Sequence, residues 1–421
     1  MTTAFAFLLL LLVGAPIGFI LVASAGILIW SGGNEILLQG LPQQLYAGIE
    51  TPSMLALPLF ILLGELMGIG GIGRRLLALA MAVMLPVRAG LAYVNLLANL
   101  MLASVLGSTV AQLTVMSRLA VPEMEKEGYG RDMAATITSA GSLLSPVLPP
   151  SINLIVFAAV AQLPVADLFK AAIGPALGLT FAFALVIAWM GWKYKLPKVA
   201  NPPLRQRVTT AIRAIPAVLV PLVAIGSIMT GIATPTEAAA LASIAAVIVG
   251  GLIYRELKIA ALPGAFARAA LISGTVLYLV AGAQILGWVM TFSNIPAQAA
   301  ELIQSMAGSP LMFLILLNIL LLLLGTVLEP IPAIILTAPV LLPVASGVYG
   351  IDPLMFGVIL CLNLALGLLT PPVGAGLYTA SLMTCVSAGR LSWLLIPFFG
   401  AVLAVLAALT LMEGLGAVLK G

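Results

Sequence analysis

Short hydroxyls, glycines and one carboxylate gather at four interruptions of otherwise apolar sequence. Ser108 and Thr109 follow Gly107. Ser145 and Ser151 flank Pro146-Val147-Leu148-Pro149-Pro150. Thr326 stands between Gly325 and Glu329, and Thr370 between Gly367 and Pro371-Pro372-Val373-Gly374. Donor sets built only from oxygen suit hard cations such as Na⁺: unwound carbonyls and half-helix C-termini ligate the ion, while half-helix N-termini attract carboxylates. The glycines permit backbone conformations closed to other residues. Other chemistries lack their parts. There is no histidine, which removes imidazole ligands and His-based proton transfer together. Cys361 and Cys385 are isolated in apolar sequence and read as buried free thiols. No phosphate loop, zinc-protease helix or nucleophile elbow occurs. ATP hydrolysis would need another subunit, and no catalytic pair is recognisable, so an enzyme is not expected.

Positioning these groups is a task for helices at membrane depth. The chain is 62% hydrophobic and 8% charged, where soluble proteins carry roughly a quarter charged residues. Apolar stretches near the length that spans hydrocarbon, about 20 residues, recur near 4–30, 53–70, 171–192, 214–232, 236–254, 269–292, 311–325 and 393–412. The fold class is therefore an all-α polytopic membrane protein. The alternation of a membrane β-barrel is absent. The net charge of +4 reports orientation in such a protein, not affinity for nucleic acid. The segment 5–30 is too long for a signal-peptide core and lacks a basic flank before it, so it reads as the first spanning helix.

Two spanning segments are broken. Prolines 146, 149 and 150 remove backbone donors and lock φ, so no continuous helix runs through 133–162. Leu369-Thr370-Pro371-Pro372-Val373-Gly374 interrupts 354–383 in the same way. Irregular backbone survives at membrane depth only where protein buries it or where it lines a polar cavity. The two Pro-Pro pairs lie 222 residues apart, about half the chain, and paired interruptions in two halves point to a transport site.

Charge placement supplies the topology. Sixteen of the 18 basic residues fall in 71–90, 118–131, 193–213, 255–268 or at Arg390. If all of these face the cytoplasm, as positive-inside bias requires, the N-terminus is cytoplasmic. Residues 91–117 must then enter and leave on that side, as a re-entrant hairpin with its tip near Gly107. Residues 310–346 must do the same from the periplasm, with their tip near Glu329. A weak internal repeat agrees: Val105-Leu106-Gly107 aligns with Val327-Leu328-Glu329 at the same offset of 222. The expected organisation is a first inverted repeat over 1–192, a basic loop and connecting helix over 193–232, and a second inverted repeat over 233–421. Helical stripes at 71–86 (Ile72, Leu76, Leu77, Ala80, Met81, Met84) and 294–307 suit helices lying in the membrane interface.

Each half thus supplies one hairpin tip and one broken helix. Glu329 is an intramembrane carboxylate, able to neutralise a cation, bond free amides, gate access, or cap the helix that Pro330 begins. Glu65 is similar and weaker. Thr234 with Glu237 reads as a capping box. Asn318, Asn363 and Gln112 suit bonds between helices. No Arg or Lys lies near the tips in sequence, so an anion there must be met by amides, hydroxyls or bound cations.

The residues Gly231-Ile232-Ala233-Thr234-Pro235-Thr236-Glu237-Ala238-Ala239-Ala240, Leu148-Pro149-Pro150-Ser151 and Asn363-Leu364-Ala365-Leu366-Gly367-Leu368-Leu369-Thr370-Pro371-Pro372-Val373-Gly374 resemble the large membrane subunit of tripartite ATP-independent periplasmic (TRAP) transporters, over essentially the whole chain. The first tip, Gly107-Ser108-Thr109-Val110-Ala111-Gln112, is bulkier than is usual there. The resemblance implies an elevator with a scaffold and a mobile transport domain in the bacterial inner membrane. It also implies coupling to two or more Na⁺, a small integral membrane partner subunit, and a periplasmic binding protein delivering an organic acid anion. On that basis the Na⁺ candidates are Gly107, Ser108, Thr109, Ser145, Pro149, Ser151, Gly325, Thr326, Glu329, Gly367, Thr370, Val373 and Gly374. The solute candidates, between the tips, are Ser108, Thr109, Gln112, Ser151, Asn153, Glu329, Thr370 and Gly374. A stand-alone Na⁺/anion symporter of the same architecture, or a passive anion channel, would use the same parts.

Overall fold

The computed structural model describes residues 2–83, 87–198 and 203–420. Among them all regular structure is helical. The chain begins with α1 (Thr2–Leu12), α2 (Ile17–Ser31), α3 (Leu41–Ile49), α4 (Pro52–Ile69) and α5 (Ile72–Ala82). Then come α6 (Gly90–Leu106), α7 (Thr109–Lys126), α8 (Arg131–Ser142), α9 (Ile152–Val160) and α10 (Val165–Lys193). The middle holds α11 (Leu204–Met229), α12 (Pro235–Val247), α13 (Leu262–Phe292) and α14 (Ile295–Met306). The last are α15 (Pro310–Val327), α16 (Pro330–Gly347), α17 (Pro353–Leu368), α18 (Ala375–Thr384) and α19 (Ala388–Lys420). Seven of these helices, α12 with its continuation to Ile253, are long and apolar enough to cross a membrane; α3 and α4 form a further pair bent by 50°.

Two of these pairs reverse direction. Gln112 on α7 donates to the carbonyl and side-chain oxygens of Asn99 on α6, both at 2.8 Å. In a continuous helix those residues would stand about 20 Å apart, so the chain folds back at Gly107. On α15 and beyond α16, Phe313 stacks on Tyr349 with ring centroids 4.7 Å apart, and Tyr349 donates to the Ala307 carbonyl at 2.7 Å. The ends of that pair therefore meet, and Leu328-Glu329 is its turn. The broken helices are equally plain. Residues 143–151 separate α8 from α9, and 369–374 separate α17 from α18.

Several expectations change. The segment 5–30 is not one helix: Gly14 takes φ +78° and Pro16 precedes α2, leaving α1 and α2 as separate pieces. At about 1.5 Å per residue neither half reaches across hydrocarbon alone. Within residues 31–51, α3 packs on α13, with Leu37, Leu41 and Leu45 gathered around Ile285 and Val289. The stripe of α5 is covered by protein: Ile72, Leu76 and Ala80 are fully buried, and α5 packs on α11 and α6. Met84 lies outside the described residues. On α14, by contrast, Leu302 and Met306 remain exposed. Asp167 and Lys170 belong to the first turns of α10, and an acidic residue there matches the helix dipole. Cys361 is buried as expected, but Cys385, just past the end of α18, is exposed. Thr234 and Glu237 do form the capping box of α12.

Packing density at glycine explains how the second pair seats. A Cβ on Gly367 would lie 2.5 Å from the carbonyl carbon of Gly325 and 2.9 Å from the amide of Thr326. Backbone cannot give way there. Gly367→Ala is expected to lose about 1–3 kcal/mol, read as a lowered unfolding midpoint of the purified protein in detergent. Gly174→Ala on α10, where nothing lies within 4 Å, should leave the midpoint unchanged or raise it.

Candidate functional site

Each hairpin tip is hydrogen-bonded to a helix break. Gly107, in the left-handed region at φ +58°, ends α6, and its carbonyl accepts from the Ile152 amide at 3.3 Å. A Cβ at Gly107 would press on that amide at 3.0 Å and on the Pro150 carbonyl at 3.3 Å, so only glycine allows the approach. At the second tip the Thr326 carbonyl accepts from the Gly374 amide at 2.9 Å. In both cases the donor lies at the start of the second half-helix, α9 or α18.

The hydroxyls at the two junctions differ in how far they are committed. Ser151 caps α9, accepting from the Leu154 amide at 3.5 Å while donating to the Pro146 carbonyl at 2.7 Å. Thr326 donates to the Leu323 carbonyl and Thr370 to that of Leu366, at 2.7 and 2.8 Å. A donating hydroxyl keeps lone pairs for a cation. Three buried oxygens of the first half have no hydrogen-bond partner among the described residues: Thr109 Oγ1 at the tip, Ser145 Oγ in the break, and Gln112 Oε1 on α7. Buried polar atoms are rarely left unpaired without a reason such as an absent water or ion.

Between the tips lies a cavity of about 560 Å³. Its wall takes Ser108, Thr109, Val110, Ala111 and Thr114 from the first hairpin, Glu329, Pro330 and Ile331 from the second, Asn153 from α9, Leu368 from α17, and Gly64, Glu65 and Gly68 from α4. Glu329 occupies the N-cap position of α16 but forms no capping bond, and it joins no ion pair among the described residues. Asn153 is 5% exposed, and its amide is free to meet a guest. Of the solute candidates, Ser108, Thr109, Asn153 and Glu329 line this space. Ser151, Thr370 and Gly374 stand behind it in the breaks. Gln112 is turned away into a buried chain running through Asn99 and Asn95 to Thr138, with side-chain bonds of 2.6–2.8 Å. Asn318 and Asn363 likewise bond each other at 2.7 Å, and Asn318 bonds Thr410 on α19 at 2.8 Å. Among the Na⁺ candidates Val373 is exposed, whereas Pro149, Gly325 and Gly367 are buried.

The contribution of α4 was legible only as Glu65, a carboxylate between Gly64 and Gly68 in apolar sequence. Its partner was not. Arg268 Nε on α13 lies 2.7 Å from Glu65 Oε2, so a basic residue does stand one side chain from the cavity, contrary to the expectation from sequence distance. Folding brings it there across 203 positions.

Helical hairpins whose tips seal broken helices around a polar cavity, in a chain with this many apolar spans, define an integral membrane permease. Its overall fold resembles that of the Alcanivorax borkumensis YdaH transporter, with a TM-score of 0.69 over 98% of both chains at 14% identity. The chain belongs to the tripartite ATP-independent periplasmic transporter family, DctM component, whose pattern matches residues 4–415. It is similar to the 2,3-diketo-L-gulonate TRAP transporter large permease YiaN of Escherichia coli K12, 33% identical over 86% of this chain and 85% of that one. It also resembles the sialic acid TRAP transporter large permease SiaM of Vibrio cholerae, 32% identical over 90% and 88%. A third relative is the isethionate TRAP transporter permease DctMQ of Oleidesulfovibrio alaskensis, 33% identical over 95% of this chain and 63% of that one. The protein is thus a multi-pass membrane transporter subunit and not an enzyme.

The two amides of the first half separate by function. Gln112→Leu strands the Asn99 oxygens and should cost about 1–3 kcal/mol of stability, measured by thermal unfolding in detergent. Asn153→Ala removes no side-chain bond and should leave the midpoint in place.

Proposed function

We propose that this chain is the large subunit of a Na⁺-driven importer of an organic acid anion, handed over by a periplasmic binding protein and assisted by a small membrane subunit. The carrying observation is the cavity of about 560 Å³ bounded by both hairpin tips and by Asn153 of α9 and Leu368 of α17, the half-helices that adjoin the two breaks. Relatives named for 2,3-diketo-L-gulonate and sialic acid support a carboxylated solute, and a relative whose printed name joins DctM and DctQ supports a small-subunit partner. Family membership supports placement in a bacterial inner membrane, and loop charge favours a cytoplasmic N-terminus.

In this reading the two hairpins are re-entrant from opposite faces and belong to inverted repeats. Na⁺ is cargo at the two tip–break junctions. The unpartnered oxygens of Thr109 and Ser145 fit a hard cation at the first, and the hydroxyl oxygens of Thr326 and Thr370 fit one at the second. Solute carboxylate is met in the cavity by the Asn153 amide, by Ser108 and Thr109, and by the field of the bound ions. Glu329 would repel an anion approaching without its cations, which makes Na⁺ binding a condition of solute binding. Transport follows as the tips and breaks carry the cavity past α4 and α13, an elevator movement.

In proteoliposomes with the binding protein and small subunit, uptake should require a Na⁺ gradient and fail in choline. Ser145→Ala and Thr109→Val should each raise the half-saturating Na⁺ concentration by about tenfold, the loss of roughly one ligand hydrogen-bond equivalent. Equal uptake in choline would reject coupling; unchanged Na⁺ activation in both variants would reject the first ion site. For the elevator, the thiol introduced by Ser108→Cys should react from opposite membrane faces as Na⁺ and solute are varied, and labelling from one face alone would reject the movement.

A further inference from the structure

A second cavity adjoins the first. Gly68, Leu106 and Val115 line both. The second, of about 240 Å³, is otherwise walled by Met67, Gly73, Leu102 and Leu119, with Arg74 and Arg118. Its charged residues are basic, whereas those of its neighbour are acidic: Glu329, without an ion pair, and Glu65, paired with Arg268. The two arginines also differ. Arg74 and its neighbour Arg75 share one carboxylate, Glu256, at 2.6 and 2.9 Å. Arg118, exposed at the middle of α7, joins no ion pair or hydrogen bond among the described residues. Three guanidinium groups against one carboxylate leave an excess of two positive charges in this cluster, and Arg118 is the arginine of the three with no carboxylate partner.

We propose that this second cavity is a carboxylate-binding vestibule on the path out of the solute cavity, with Arg118 as its anion-binding residue. The proposal rests on the reading that the first cavity carries an organic anion. An arginine offers paired N–H donors in one plane, matched to the two oxygens of a carboxylate. In the first cavity an anion is held by neutral donors and bound cations beside two carboxylates. Once those cations depart, repulsion drives it away, and the adjoining cavity offers an arginine without an ion pair, Arg118. A vestibule of one sign with apolar walls also focuses the field, attracting an anion over several ångströms before contact. Arg74 contributes to that field but is already bonded, so it is the weaker ligand. Both arginines fall in the segments whose charge predicts the cytoplasmic face, which is the side on which an imported solute must leave.

The test uses the full-length chain in proteoliposomes with Cys385→Ser and Val115→Cys, since Cys361 is fully buried and Val115 faces both cavities. Reaction of the introduced thiol is timed with a sulfonate-bearing and with a trimethylammonium-bearing methanethiosulfonate. Adding Arg118→Gln should lower the anionic-to-cationic rate ratio about tenfold, a loss of local potential that raised salt should mimic. Choline succinate, free of Na⁺, should slow an uncharged methanethiosulfonate about threefold, consistent with a weak exposed carboxylate–arginine bond. That protection should vanish in Arg118→Gln, while Arg118→Lys should keep the rate ratio but lose part of the protection, because an ammonium lacks the planar fork. Lys126→Gln, whose ammonium pairs with Glu123 at 2.7 Å, controls for general loss of charge and should change neither readout. A rate ratio that stays the same, or protection that persists, in Arg118→Gln overturns the vestibule. Its fate is separable from that of the transport reading. Na⁺-driven uptake with no effect of Arg118→Gln on the thiol rejects the vestibule alone; succinate protection with no Na⁺-driven uptake rejects the transport reading alone.

Discussion

Everything near the centre of this molecule depends on a requirement of hydrocarbon: backbone polar groups freed from a helix must find partners inside the protein. Each unsatisfied group costs several kcal/mol, so a proline-broken helix is tolerable only if something else reaches it. Here that something is the tip of a helical hairpin. The carbonyls of Gly107 and Thr326 accept from the amides of Ile152 and Gly374, and each bond both closes a break and anchors a tip. Because the tips are held at the breaks, the space between them is walled by backbone ends and short side chains rather than by packed leucine. The cavity is a by-product of satisfying the backbone.

The electrostatics of that space follow from what surrounds it. Glu65 is tied to Arg268, so its charge is balanced from behind, on the α13 side. Glu329 has no such counterweight and no capping bond, which leaves a carboxylate at a helix N-terminus facing a polar void. A cation is the natural complement to it. In the proposed reading, an anion would find support in the amide of Asn153 and in cations bound at the junctions. The arrangement separates recognition of charge from recognition of shape, since Gly64, Gly68, Ser108 and Ala111 are small and leave most of the volume to the guest.

Much of this was legible in the sequence because prolines and glycines mark backbone breaks locally. Pro149-Pro150 and Pro371-Pro372 announced their interruptions, and Gly107 announced a chain reversal once loop charges constrained the number of crossings. Gln112 was ambiguous for a physical reason: an intramembrane amide bonds equally well to a neighbouring helix or to a ligand, and only the position of Asn99 decides. The share of α4 in the wall, and the pairing of Glu65 with Arg268, left little local mark, because they arise from packing between distant segments. The same holds for α5, whose apolar stripe looks alike whether it faces lipid or, as here, α11 and α6. Periodicity tells which face is apolar and not what covers it. The split at Gly14 to Pro16 was available in principle, since both residues stand inside the stretch that hydropathy alone joined.

The contact of Gly325 with Gly367 carries a mechanical consequence. Main chain rests on main chain there, with no side chain between to bend or rotate. Such a joint has almost no slack, so displacement of the hairpin arm is delivered to α17 nearly undiminished, as a keyed shaft turns its hub. Asn363 and Asn318 pin the same two helices further along, and Thr410 extends the linkage to α19. Those three helices behave as one stiff lever. Compliance, where the molecule needs it, is left to the segments that join helices rather than to any interface along this lever.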